Sequence, residues 1–240
     1  MSDPSVESSS AQNNGQNDVA FSEAKVLLKK GMTLSSSQKS EEALAFIGKA
    51  LELKPDYVDA WLIKGVVLGR LGKLEDALVC YDKMIELQPN SADAWLIKGA
   101  TFSSLGKHPD ALSCYDKALE LDPDYADARL NKAFSLQNIG DFEGAFKCYD
   151  EVLKQKPDCA KAWYGKGIAH AKMGIIESAL HSFEKAVESK PDFIEALLAE
   201  SIVLDKLGRM QEAEVCMRKA IGLKNMLSGN SSLSNIPAWR

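Results

Sequence analysis

Five cysteines and three histidines are the side chains of this 240-residue sequence best suited to hold a metal, attack a carbonyl or cycle between redox states. Cys80, Cys114, Cys148 and Cys216 stand 34, 34 and 68 residues apart, at one position of a repeating pattern. Equivalent positions on stacked helix pairs lie roughly 10 Å or more apart when neighbouring helices pack about 8 to 10 Å from one another, beyond disulfide reach. These cysteines are therefore read as small buried hydrophobes in a reducing compartment. His108, His170 and His181 lie in a turn and two helices, with no cysteine or carboxylate cluster at ligand spacing beside them. No phosphate-cradling glycine loop, nucleophile elbow or HExxH motif is present. The expectation is a protein that is not an enzyme, with no catalytic residue, no metal and no cofactor; any catalysis would belong to a partner.

The positions of these residues are set by a repeat. Prolines at 55, 89, 123, 157 and 191 recur every 34 residues, and a period of that length holding two helical patterns marks a stacked array. One copy runs from Asp56 to Pro89. Within it, helix A carries apolar residues at three- and four-residue steps, a turn follows, and helix B repeats the periodicity. Asp56, Asn90, Asp124, Asp158 and Asp192 follow the prolines and are read as N-caps. Gly72, Gly106, Gly140, Gly174 and Gly208 end each helix A, where a left-handed residue is wanted.

Small residues recur on helix A (Gly31, Gly65, Gly99, Ala133, Gly167, Ser201) and on helix B (Ala43, Ala77, Ala111, Ala145, Ala179, Ala213). A larger side chain there would overpack a close helix contact at about 1 to 3 kcal/mol. Trp61, Trp95 and Trp163, with Tyr81, Tyr115, Tyr149 and Phe183, fill the space around them and are read as core rather than as an aromatic cage.

The net charge of −5 argues against broad electrostatic binding to nucleic acid or to acidic membranes. No apolar run reaches the roughly 18 residues of a membrane span, and Met1 to Ala20 lacks the pattern of a signal peptide. A cytoplasmic location is expected. Residues 1–20 are rich in Ser, Asn and Gln and are expected to form a disordered polar tail. Residues 228–240 read as a second tail carrying a short apolar motif, Ile236 to Trp239.

The pattern resembles the tetratricopeptide repeat, W-x2-L-G-x2-Y, then A-x3-F, then A and P. Trp61, Gly65, Leu68, Ala77, Tyr81, Met84 and Pro89 follow it, as do Trp95, Gly99, Phe102, Ala111, Tyr115, Ala118 and Pro123. Six copies are visible over 21–227, at 24–57, 58–91, 92–125, 126–159, 160–193 and 194–227. Three departures stand out: Arg129 for the tryptophan of repeat four, His170 at an apolar position of repeat five, and Leu197, Ser201, Met217 and Asn225 in repeat six. The resemblance implies an all-α, right-handed superhelical solenoid of six helix–turn–helix repeats, and a non-enzymatic scaffold or adaptor.

Such proteins generally bind a peptide or helix of a partner along a groove lined by the A helices. In this chain the expected lining is Leu62, Ile63, Val66, Leu96, Ile97, Ala100, Leu130, Asn131, Phe134, Tyr164 and Ile168, with Leu28, Met32, Leu198 and Ile202 continuing it in the flanking repeats. This face is mainly apolar, which suits an apolar or amphipathic segment. The family's chaperone-binding carboxylate clamp would place its five roles on Leu96, Ala100, Asn131, Lys161 and Gly165, of which only Asn131 and Lys161 match. A terminal carboxylate would find no cation cluster to hold it. Asp59, Asp93 and Asp127 form an acidic row, read mainly as complementing helix N-termini. Lys30, Lys64, Lys98, Lys132 and Lys166 are expected to pair with a helix B row of Asp82, Asp116, Asp150 and Glu184. The partner is a protein or peptide rather than nucleic acid. Three alternatives stay open: self-association as a homo-oligomer, occupation of the groove by the chain's own tail, and a regulatory subunit of a larger enzyme complex.

Overall fold

A computed structural model describes the backbone of residues 4–227 and the side chains of residues 18–226. Among the described residues the chain is entirely helical, with α1 (Pro4–Ser36), α2 (Ser40–Leu53), α3 (Val58–Arg70), α4 (Leu74–Leu87), α5 (Ala92–Ser104), α6 (His108–Leu121), α7 (Ala126–Asn138), α8 (Phe142–Gln155), α9 (Ala160–Lys172), α10 (Ile176–Ser189), α11 (Ile194–Lys206) and α12 (Met210–Leu227). Odd-numbered helices are the A helices of the repeat and even-numbered ones the B helices. The architecture is an all-α repeat solenoid. It divides into two compact units, Met1–Pro123 and Asp124–Arg240.

The A-to-B turns are built identically. In α3, Lys73 N–H donates to Leu68 O at 2.9 Å and Gly72 N–H to Gly69 O at 3.0 Å. This pair of bonds is the Schellman closure, which satisfies carbonyls the helix leaves open and requires a left-handed residue. Gly72 supplies it with φ +75°, and the glycines at 106, 140, 174 and 208 do so with φ between +72° and +88°. Repeat one makes the same closure with Gln38 at φ +62°, Lys39 N–H donating to Leu34 O at 3.0 Å.

The B-to-A turns correct one expectation. Asp56, read as an N-cap, lies inside the turn that precedes α3, and Tyr57 is the capping position. Tyr57 N–H closes that turn on Lys54 O at 3.2 Å, which puts Pro55 at the position where its fixed φ is favoured and Asp56 at the next. The other repeats shift by the same one residue, to Ser91, Tyr125, Cys159 and Phe193. Of these five caps only Ser91 accepts from the helix with its side chain, from Ala94 N–H at 3.3 Å.

At the N-terminus, α1 as described runs back over residues 4–20 from its packed half. Once α1 is nucleated by its packed half, each further residue adds a hydrogen bond without the cost of a new nucleus. The tail expected at 228–240 lies outside the described residues.

In the first unit, Ala43, Ile47, Ala50 and Leu51 of α2 share one core with Ala24 and Leu28 of α1 and Ala60 and Val67 of α3. Ala77, Cys80, Tyr81 and Met84 of α4 share the next with Leu68 of α3 and Ala94 of α5. In the second unit, α7 to α9 meet through Ala133, Ala145, Cys148, Tyr149, Val152 and Ala162. There α10 to α12 meet through Leu180, Phe183, Val203, Leu204 and Ala213. Within the units, α2, α4, α8 and α10 thus each pack against their own helix A and the next, so the core is built piecewise. At Gly65 an added Cβ would come 2.5 Å from the Tyr81 ring, which explains the small residue there.

Candidate functional site

Trp61, Trp95 and Trp163 are half-buried rather than fully enclosed, and each is tied to the turn before its helix. Trp61 Nε1–H donates to Pro55 O at 2.8 Å, Trp95 to Pro89 O at 3.4 Å and Trp163 to Pro157 O at 2.9 Å. On the other side of each ring sits the helix A lysine: Lys64 Nζ is 5.1 Å from the Trp61 centroid, Lys98 5.5 Å from Trp95, and Lys166 5.3 Å from Trp163. Lys98 and Lys166 also reach Asp82 and Asp150 at 2.6 Å. Lys98 and Lys166 are thus engaged within the fold by both a ring and a carboxylate.

In the first unit, Leu62, Ile63 and Val66 of α3 and Leu96, Ile97 and Ala100 of α5 are all half-buried. Ile63 packs against the core shared by α1, α2 and α3, and Leu62 and Ile97 against the core around Tyr81. Leu28 is only 4% exposed and belongs to the core rather than to an open face, whereas Met32, one turn on, is 46% exposed. Asp59 and Asp93 are exposed beside these positions.

In the second unit, Phe134 of α7 is 50% exposed and Ile202 of α11 is 55% exposed. Ile168, midway between them in the sequence, is half-buried against the α10–α12 core, as is Tyr164. Leu130 leans on the Tyr149 core and Asn131 is half-buried. The Tyr164 ring lies 5.8 Å from Phe183 and 5.1 Å from Phe193, and burial first, then the Glu195 charge, pushes its hydroxyl pKa up. Lys161 sits 3.9 Å from Asp127 at the first turns of α9 and α7.

Each departure in repeats four and five is matched by a second one. Where Arg129 replaces tryptophan, Glu151 replaces the lysine of Lys83, Lys117 and Lys185, and Arg129 Nε stands 3.0 Å from Glu151 Oε2. Where Ala133 replaces glycine, Tyr149 donates its hydroxyl to the buried Gln137 Oε1 at 3.3 Å, and its ring fills the place a Cβ at Gly165 would need. Where His170 replaces leucine, Ser182 replaces the cysteine of Cys80, Cys114 and Cys148, with Ser182 Oγ 3.3 Å from His170 Nδ1. Because Ser182 Oγ–H donates to Ser178 O at 2.8 Å, its oxygen is left to accept from the imidazole Nδ1–H.

Cys80 and Cys114 are buried, and burial pushes their thiols up, Cys80 to about 11. Among the described residues no three His, Cys, Asp or Glu side chains gather as metal ligands, and no helix is long and apolar enough to cross a membrane. One exposed apolar ledge escaped the sequence reading: Ile139, Met173 and Ile175 at the A-to-B turns of the second unit, 41 to 49% exposed. The signal was Ile175 itself, at a position held by Lys73, Lys107, Asp141 and Arg209 in other repeats.

No curated protein matches the chain. Among solved structures it is similar to YrrB, described as a TPR protein with an unusual peptide-binding site, at 27% identity over 80% of this chain and 96% of that one, with a TM-score of 0.58. PilW, a type IV pilus biogenesis factor, aligns at 21% identity over 88% and 95% with a TM-score of 0.70. MamA from Desulfovibrio magneticus aligns at 21% identity over 73% and 97% with a TM-score of 0.59. Family models described as tetratricopeptide repeat match residues 24–57, 58–91, 92–125, 130–192 and 194–225. With its glycine-closed turns, proline-marked connections and Trp–Pro latches all in that register, the chain belongs to the tetratricopeptide repeat family.

Proposed function

We propose that the chain is a non-enzymatic interaction scaffold whose A helices hold an apolar or amphipathic peptide or helix of a protein partner. In the first unit the contact residues are Leu62, Ile63, Val66, Leu96, Ile97 and Ala100; in the second they are Leu130, Asn131, Phe134, Tyr164 and Ile168. The observation that carries this reading is the half-exposed ring of Phe134, in register with Ile168 and the exposed Ile202. Large apolar side chains repeated at one surface position favour association over simple solvation. The peptide-binding site attributed to YrrB supports the same class of partner. The half-buried residues would act as the floor of the contact and Phe134 as its anchor, since aromatic anchors dominate such interfaces.

The test is a selection of helical peptides from a display library on the full chain, followed by affinity measurement against Phe134→Asp and Leu96→Asp. The reading expects at least about a tenfold loss of affinity, about 1.4 kcal/mol, with unchanged helicity by circular dichroism. Selected peptides that bind both variants as tightly as the parent chain would falsify it. Light scattering of the pure chain separates this reading from self-association through the same face.

A further inference from the structure

Repeat six carries a departure with no matching partner. Its position in α11 equivalent to Lys64, Lys98, Lys132 and Lys166 is held by Glu200. The carboxylate position on the preceding helix B is retained, as Glu184 on α10 after Asp82, Asp116 and Asp150. Lys98 and Lys166 sit between a tryptophan ring and a carboxylate 2.6 Å away. In repeat six the ring is replaced by the buried Leu197 and the cation by a second carboxyl group.

Glu200 is half-buried, and its Oε2 is sealed from solvent with no hydrogen-bond partner. An ionised carboxylate in that setting is costly, because neither water nor a donor compensates that oxygen. The charged and titratable groups around it come from both neighbouring helices. Glu184 of α10 opposes its ionisation; from the α12 side, the Cys216 thiol, Lys219 and Arg209 favour its charge. Arg209 is engaged with Glu212 through two hydrogen bonds of 2.7 and 2.6 Å, and Arg218, at the helix B position of Glu184, turns to Glu214 at 2.6 Å. Cys216 stays a thiol able to donate, since burial, followed by Glu200 itself, pushes it up to about 11.

We propose that Glu200 makes the seating of the terminal pair α11–α12 on α10 proton-dependent, firm when its carboxyl is protonated and looser when it is ionised opposite Glu184. Burial raises the Glu200 pKa in the folded chain above its ordinary 4.5. The folded state therefore takes up the proton first as pH falls. The added stability is complete below the ordinary carboxyl value and is lost as pH rises through the raised folded value. The array acquires one end that responds to acidification while the Lys–Asp pairs hold the repeats before it.

Hydrogen exchange of α12 amides in the full chain, compared with Glu200→Gln between pH 4.5 and 8, tests this. Dividing the opening of the parent chain by that of the variant cancels intrinsic exchange chemistry. The ratio should rise by about a few-fold across the range as Glu200 ionises in the parent chain and the neutral glutamine does not. Glu200→Lys, facing Glu184, should remove the rise and protect α12 at neutral pH beyond the parent chain. A ratio flat with pH overturns the proposal. Should Glu200→Gln not fold, Glu184→Gln serves instead: a shallower pH dependence supports the proposal and an unchanged one overturns it.

Discussion

Arg129 Nε lies 3.0 Å from Glu151 Oε2, and the two residues leave the repeat pattern together. Each alone would be a fault: a guanidinium 13% exposed where tryptophan belongs, or a carboxylate where lysine belongs. Glu151→Lys, which sets a second cation against the mostly buried Arg129, should therefore destabilise the second unit by about 1 to 3 kcal/mol. The double change Arg129→Trp with Glu151→Lys should recover most of it. Urea denaturation of the four proteins of the cycle gives the coupling.

Gly165 and Gly48 predict opposite signs for the same substitution. A Cβ at Gly165 meets the Tyr149 ring and hydroxyl, whereas one at Gly48 meets nothing within 4 Å. Gly165→Ala should cost about 1 to 3 kcal/mol through overpacking. Gly48→Ala, inside α2, should stabilise by roughly 0.5 to 1 kcal/mol from helix propensity. Thermal unfolding of the two variants side by side checks both.

Gln38 holds a left-handed φ of +62° that glycine supplies at the five later turns. Gln38→Gly should raise stability by about 1 kcal/mol by removing the Cβ strain. The gain should appear in hydrogen exchange as slower opening of α1 and α2, with α11 and α12 unchanged.

His170 introduces a dependence on pH of its own. Burial first, then Lys166, pushes its pKa below 6.5 in the folded chain, with Asp150 partly opposing. Folding thus favours the neutral ring: the contribution is complete above 6.5 and is lost as pH falls through the lowered folded value. The double change His170→Leu with Ser182→Cys restores the residues of the other repeats. It should flatten the stability profile between about pH 5 and 7 relative to the parent, measured by denaturation at each pH.

Helix count, the left-handed glycines and the small residues under aromatic rings were legible in the sequence, because each follows from local geometry repeated every 34 residues. The N-caps were misplaced by one because residue type was weighed above the turn that Pro55 dictates: Asp56 is a good capping residue held inside that turn. The departures at Arg129 and His170 were visible in sequence. Glu151 and Ser182 also depart from their repeats in sequence, but that each partners Arg129 or His170 is recognised only across the helix interface. At the candidate site the sequence marked the apolar A-helix positions. It could not separate the exposed Phe134 from the buried Leu28, because exposure depends on which neighbouring helix covers each position.

The contact of Tyr149 with Gly165 crosses from repeat four into repeat five, while Arg129 and Glu151 lie within repeat four. For anyone recombining this array, the transferable cassette is then not a single 34-residue copy. Repeats four and five travel together, and a graft that parts them would carry a tyrosine into a neighbour with no room for it.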